Sequence, residues 1–511
     1  MTEERPSLRE PLDAEQAFAL PSETPTVSAL QRETVHVDLN LTRTAFPHFW
    51  EHGFGSCHAP VTLCEDWRND LRTVKKIVDL QYVRFHGIFD RETGLYAGED
   101  GNGRLILNFT RVDLIYDGLI KNGVRPFIEL SFMPAAMADD VAGSIHPFAY
   151  HPNVAPPKNP SKWYQLVHRF TSHLVERYGI EEVSKWPFEV WNEPNIDFLA
   201  GEDWQKQERY FLMYDLAARA IKDVSSRIQV GGPATAQAAW ISDFINHCVK
   251  GDVAVDFVST HVYPNDDPKN VLGKDMPVTQ KDLVALAVRK VYDEVKTSER
   301  PHLPIYWSEF NAGFDGGQTD APYVGPWLAN SIRLCDGLAT EMMYWTFTDA
   351  FFEEGGVFTS PFGGGFGLIA TGSIPKAPFN AFKILHMLGD ERIHGIGSDS
   401  ALATKRRDGS VVVAVWNYVL PHQTGEVRSF DVSVPGLNCK FALAHVVDED
   451  HGNPQKLWQQ MGRPAFPTPL QQQQLKAVAE LPPAKIMYLH DGNRVHIKLQ
   501  PNALVVIEFI A

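Results

Sequence analysis

The feature that most limits the fold is a rhythm. A short β-prone run, a loop and a helical pattern follow one another eight times between about residue 50 and residue 390. The runs are "HGFGS" (52–56), "QYVRFHG" (81–87), "RPFIELSF" (125–132), "PFEVWNE" (187–193), "IQVGGP" (228–233), "DFVSTHVY" (256–263), "PIYWSEF" (304–310) and "EMMYWTFT" (341–348). Apolar residues recur at three- and four-residue steps near 66–80, 109–122, 161–178, 203–224, 238–250, 280–297, 323–337 and 377–388, as amphipathic helices require. Eight β-then-α units predict a closed (β/α)8 barrel, the TIM-barrel architecture. The interior runs are nearly continuous in apolar residues, which suits parallel strands covered on both faces. A doubly wound open sheet is the rival, but no G-x-G-x-x-G follows the first strands.

From about 395 the pattern changes to short alternating strands broken by turn residues such as Asp408-Gly409 and Asp491-Gly492. This predicts an accessory all-β sandwich over 391–511, with a helical insertion near 455–483 carrying "LQQQQLKAVAEL". The strand-like "TVHVDLNLT" lies before a barrel spanning 48–390 and has no place in it, so 31–47 is assigned to the sandwich. Residues 1–30, polar and Pro/Ser-rich, read as a flexible leader.

The net charge of −16 argues against nucleic acid, anionic membranes or anionic polymers as main partners. Five widely spaced cysteines without a C-x-x-C predict neither a zinc site nor a disulfide framework. The N-terminus lacks the basic start and apolar core of a signal peptide, and no apolar run approaches the length of a membrane span. A cytoplasmic location is expected, and the sequons at Asn40 and Asn108 read as coincidence. A homo-oligomer stays open.

Barrels of this kind carry their active sites at the C-terminal ends of the strands. The polar residues that close the runs are His86, Asn192, Glu193, His261, Tyr263, Glu309 and Asp349, with Trp345. Glu193 and Glu309 are carboxylates that directly end the apolar runs of strands 4 and 7, and a carboxylate ending an apolar strand is costly unless solvated, paired or at work. Two acids facing each other across a barrel mouth are the equipment of glycoside hydrolysis. Trp191, Trp307, Trp345 and Tyr344 offer aromatic faces. The alternation leaves open whether Trp191 and Trp307 wall a sugar site or pack the upper barrel. A metal site is not expected, since the rim histidines lack compact ligand spacing and no H-E-x-x-H occurs. No G-x-S-x-G elbow supports a serine hydrolase, and no nucleotide fingerprint surrounds the "GGFGL" of 364–368, so no cofactor is expected.

"VWNEPN" (190–195) and "YWSEFN" (306–311) resemble the acid/base and nucleophile motifs of clan A retaining glycosidases. With "YVRFHGIFD", "RPFIELSFMP", "VGGPAT", "DFVSTHVYP", "YWTFTDAFFEEGG", "IPKAPFNAFKIL" and "DEDHGNP", the chain from about 45 to 510 resembles glycoside hydrolase family 39, especially its β-xylosidases. The resemblance implies Glu193 as acid/base, Glu309 as nucleophile and Asn192 at the sugar 2-hydroxyl. It implies that His86, His261, Tyr263 and Trp345 line the pocket. An acid of "FFEEGG" should touch the sugar, with Glu353 and Glu354 competing for the part, and His58 stands where the pattern has an arginine. The implied activity is an exo-acting retaining β-xylosidase on xylo-oligosaccharides. The alternatives are an α-L-arabinosidase, an α-L-iduronidase, for which no rim lysine or arginine is present, or a non-catalytic sugar-binding protein.

Overall fold

The computed structural model describes residues 32–140, 143–274, 277–313, 318–351, 353 and 360–511. The leader read at 1–30 lies outside the described residues, as does Glu354. Eight strands form one barrel: β1 (Gly53–His58), β2 (Tyr82–His86), β3 (Arg125–Leu130), β4 (Pro187–Val190), β5 (Gln229–Thr235), β6 (Phe257–Val262), β7 (Ile305–Phe310) and β8 (Glu341–Tyr344). All neighbours pair in parallel, and Tyr344 of β8 opposite Phe54 of β1 closes the ring. The eightfold rhythm therefore does specify a (β/α)8 barrel. Closure excludes the open doubly wound sheet.

The barrel interior is layered. Phe127 and Phe257, from the non-adjacent β3 and β6, meet with ring centroids 5.9 Å apart, and Tyr306 of β7 lies 5.6 and 5.0 Å from them. With Tyr82 and Met343 these rings form an apolar floor. Two residues further along the strands, Arg84, Glu129, Glu189 and Ser308 form a polar layer, all buried. The period of two in a strand turns both layers inward.

The accessory domain has two sheets. One holds the strands Arg32–His36, Arg428–Ser433 and Arg494–Leu499, the other seven strands including Arg43–Ala45 and Glu391–Ile393. Of the stretch read as one strand over 34–42, only 34–36 is strand; the chain turns at Asp38–Leu41, with Leu41 N–H donating to the Asp38 carbonyl, and re-enters as Arg43–Ala45 in the other sheet. Val35, Phe430 and Val495 of the small sheet share a core with Val413 and Ile507 of the large one. The other face of the large sheet (Val412, Ala414, Leu504, Val506) belongs to the main core with the barrel helices Val324–Cys335 and Ala377–Leu385. Alternation along each strand assigns one face to each core. Helices Pro454–Gln460 and Pro469–Ala479 occupy the insertion, the second opened by a capping box from Thr468 and Gln471.

Candidate active site

β4 ends at Val190, and the backbone then turns left-handed at Trp191 (φ 70°) and Glu193 (φ 41°). The turn breaks the strand alternation. Trp191 swings out of the barrel, donates its indole N–H to the Phe198 carbonyl (2.6 Å) and packs on Trp163 and Phe132. Trp307 is equally buried. Both tryptophans are packing rather than pocket wall. The same turn delivers Asn192 and Glu193 to the mouth, where Glu193 N–H donates to the Ala234 carbonyl (2.7 Å).

A cavity of about 290 Å³ opens at the C-terminal end of the barrel and is lined by His86, Asn192, Glu193, Tyr263, Trp345 and Glu353, among others. Glu309 lies next to the cavity, bonded to the lining residue Tyr263. It accepts from Arg84 Nη1 (2.7 Å) and from the Tyr263 hydroxyl (2.8 Å). One oxygen each of Glu193 and Glu309 and a ring nitrogen of His261 lie within 4.8 Å of one another. The two acids thus fall on the short side of the range for carboxyl pairs, about 5–5.5 Å for retaining and 6.5–9.5 Å for inverting glycosidases. That trio could also bracket a cation, but the Arg84 guanidinium already holds the place beside Glu309.

Arg84 organises the layer beneath. Its Nε donates to Glu189 (2.6 Å) and its Nη2 to the Asn192 side-chain oxygen (2.9 Å), with Glu129 at 2.8 Å. With that oxygen engaged, the Asn192 amide NH2 is the group left to donate to a ligand. Burial raises the Glu129 carboxyl to about 8. Burial pushes Glu189 upward, but the attraction of Arg84 and His261 and the hydrogen bond from Ser308 together outweigh it and leave Glu189 below the usual carboxylate value.

A proton chain fixes the state of the acid. The Ser308 hydroxyl donates to Glu189 (2.6 Å), so it accepts from His261 Nε2 (3.1 Å). Burial lowers the pKa of His261, and a neutral ring with a protonated Nε2 has an acceptor at Nδ1. Glu193 Oε1 lies 2.9 Å from that Nδ1 and is therefore its donor. Burial independently raises Glu193 to about 8. His86 is likewise held neutral, lowered by burial to about 3, with Nδ1 2.8 Å from Glu129 and Nε2 3.8 Å from Glu353.

The structure brings His86, Asn192, Glu193, His261, Tyr263, Glu309, Trp345 and Glu353 together. His58 stands apart from the cavity lining, bonded through Nε2 to Glu92 (2.9 Å) and stacked on Tyr150 with centroids 4.0 Å apart. Asp349 is also withdrawn, paired with buried Lys376 (2.6 Å), which binds Asp320 at the same distance. Sequence reasoning missed Arg84, Glu129 and Glu189. Their signal was present, since a charge inside a buried strand such as "YVRFH" or "FIEL" must find a partner in the interior. It also missed His146, Phe148, Phe198, Gln237 and Asp266, which line the cavity from loops.

The sequence profile of glycosyl hydrolases family 39 matches residues 33–492. A β-xylosidase of Caldicellulosiruptor saccharolyticus is 35% identical over 475 residues, covering 90% of this chain and 94% of that protein. A β-xylosidase of Geobacillus stearothermophilus is 34% identical over 488 residues, covering 91% and 93%. The crystal structure of a monomeric β-xylosidase from Caulobacter crescentus superimposes with a TM-score of 0.83 at 31% identity, covering 93% of this chain and 99% of that one. Two facing acids in a sugar-sized cavity, on a chain matched over nearly its whole length, make this a glycosidase, and the chain belongs to glycosyl hydrolase family 39.

Proposed function

We propose that the protein is an exo-acting, retaining β-xylosidase that releases xylose from the non-reducing end of xylo-oligosaccharides. The observation that carries this reading is the pair Glu193 and Glu309, close enough for double displacement and differently surrounded. Glu309 is the nucleophile. Arg84 and Tyr263 donate to it and orient it toward the anomeric carbon. Glu193 is the acid. Its proton rests against His261 until a glycosidic oxygen competes for it, and the leaving alcohol departs with that proton. Once Glu309 is esterified by the sugar, Glu193 takes a proton from water and the same carboxyl acts as base. Asn192 donates to the 2-hydroxyl, and His86, Glu353 and Trp345 hold the rest of the ring.

A small cavity, rather than an open groove, suits removal of one terminal unit. Among the described residues, no lysine or arginine lines it, and the acids Asp266 and Glu353 do. That composition favours a neutral pentose over a uronate, whose carboxylate needs a cation. Five free thiols, three of them buried, support a reducing, cytoplasmic setting. The test is a panel of aryl β-D-xylosides, α-L-arabinosides and α-L-iduronides. The reading expects the highest kcat/KM on the xyloside, and a preference for the iduronide would reject it.

A further inference from the structure

The end of the barrel opposite the catalytic mouth holds a second convergence of ionisable groups. His48 and Glu51 lie in the segment leading into β1, and His386 ends the last barrel helix, Ala377–Leu385. His48 takes the left-handed conformation (φ 51°), and Glu51 N–H donates to its carbonyl (3.2 Å), a turn that sets the two side chains together. Glu51 Oε1 is 2.8 Å from His48 Nδ1 and 2.9 Å from His386 Nδ1, and Oε2 is also 2.9 Å from the latter. Glu51 is 1% exposed. The His48 ring is steadied by Trp50, stacked 4.5 Å away.

Two rings from distant parts of the chain aim the same nitrogen at the same buried oxygen. One protonated imidazole would satisfy a buried carboxylate. Two converging on a single point, one from the turn before β1 and one from the end of a helix, have the arrangement of a ligand set. We propose that His48, Glu51 and His386 bind a zinc-class divalent cation. Two imidazoles and a carboxylate are the His2Glu donor set of mononuclear zinc sites, which leave a fourth position to water. Metal–ligand bonds of about 2.0–2.1 Å place tetrahedral donors about 3.3–3.4 Å apart, so the observed groups must part by roughly half an ångström. His386 can do this, because its side chain is 45% exposed. The trio also borders a cavity of about 420 Å³, lined further by His52, Asp79, Asp390 and Arg407, with room for a water ligand. The catalytic trio differs in kind, since Arg84 already supplies its cation.

The site is a clasp. It joins the approach to the first barrel strand to the exit of the last barrel helix, where the chain passes into the accessory domain. Bound metal therefore resists opening of the barrel at its seam, and binding adds to stability by mass action.

The test uses untagged, chelator-stripped full-length protein titrated with zinc(II) against a chromophoric chelator, with Tm measured in parallel. Wild type and Glu309→Gln should each take up one zinc per chain, and Tm should rise by about 3 °C or more. His386→Ala should bind at least about tenfold more weakly and lose the Tm rise. It should keep wild-type glycosidase activity, because the residue is remote from the catalytic mouth. Glu51→Gln should lose binding too, and the half-exposed position of His386 keeps the test decisive if that buried substitution misfolds. Absence of zinc uptake, uptake unchanged in His386→Ala, or uptake lost in Glu309→Gln alone would each overturn the proposal.

Discussion

Glu193 carries the clearest consequence at the residue scale. The acid works protonated, and burial places its pKa at about 8. The alkaline limb of kcat/KM should therefore fall as pH rises through about 8, the free-enzyme value, well above the ordinary carboxylate range. Glu193→Ala should lower kcat/KM by about 10²–10⁴-fold for xylosides with poor leaving groups and far less for activated aryl xylosides. Steady-state rates on a leaving-group series check this, and equal losses across the series would remove Glu193 from the acid's role. Arg84 is the second decisive residue. Replacing it with Met leaves Glu189 and Glu309 buried without their common cation. The expected cost is about 3–5 kcal/mol in urea unfolding, with glycosidase activity lost as well. At this scale the sequence was legible where a polar side chain ended a strand at the mouth, as at Glu193, Glu309 and His261, but Asp349, read in the same way, turns aside to pair with Lys376. It was opaque at Trp191, because alternation assumes extended backbone and φ there is 70°. Arg84, Glu129 and Glu189 were hidden by a different assumption, that a buried barrel strand is apolar throughout.

Among the elements, the fit between β1 and β8 is the tightest constraint on the pocket. Gly55 of β1 faces Trp345, and a Cβ at Gly55 would stand 2.1 Å from the indole Cε3. The glycine is thus the space in which a pocket-lining ring lies. Gly55→Ala must push Trp345 toward the sugar, which predicts a several-fold higher KM with helical and strand content unchanged by circular dichroism. Unaltered KM would mean that Trp345 is not held where its ring meets the substrate. Strand and helix positions were readable from periodicity, since "YFLMYDLAARAIKDV" falls inside the helix Asp203–Val224. The cavity-lining loops were not. His146, Phe148 and Phe198 occupy irregular segments without a period, so only the fold shows that they converge.

The whole molecule is tied together through the seven-stranded sheet. One face shares a core with the small sheet and the other with the barrel helices, so separating the two halves would uncover that second apolar face. Calorimetry should record one cooperative transition rather than two. Leu504→Ala, inside the shared core, should lower stability by about 2–5 kcal/mol and shift barrel and accessory signals together. Two separated transitions would show that the domains are independent. The change of rhythm near 395 announced a second unit. That the N-terminal strands divide between its two sheets depends on contacts across some 350–400 residues, which no local pattern encodes.

The central claim is double displacement by Glu309 and Glu193. It is tested most directly by following aryl β-xyloside hydrolysis by proton NMR from the first turnovers, before mutarotation. The account predicts β-xylose as the first-formed anomer. First formation of α-xylose would contradict it.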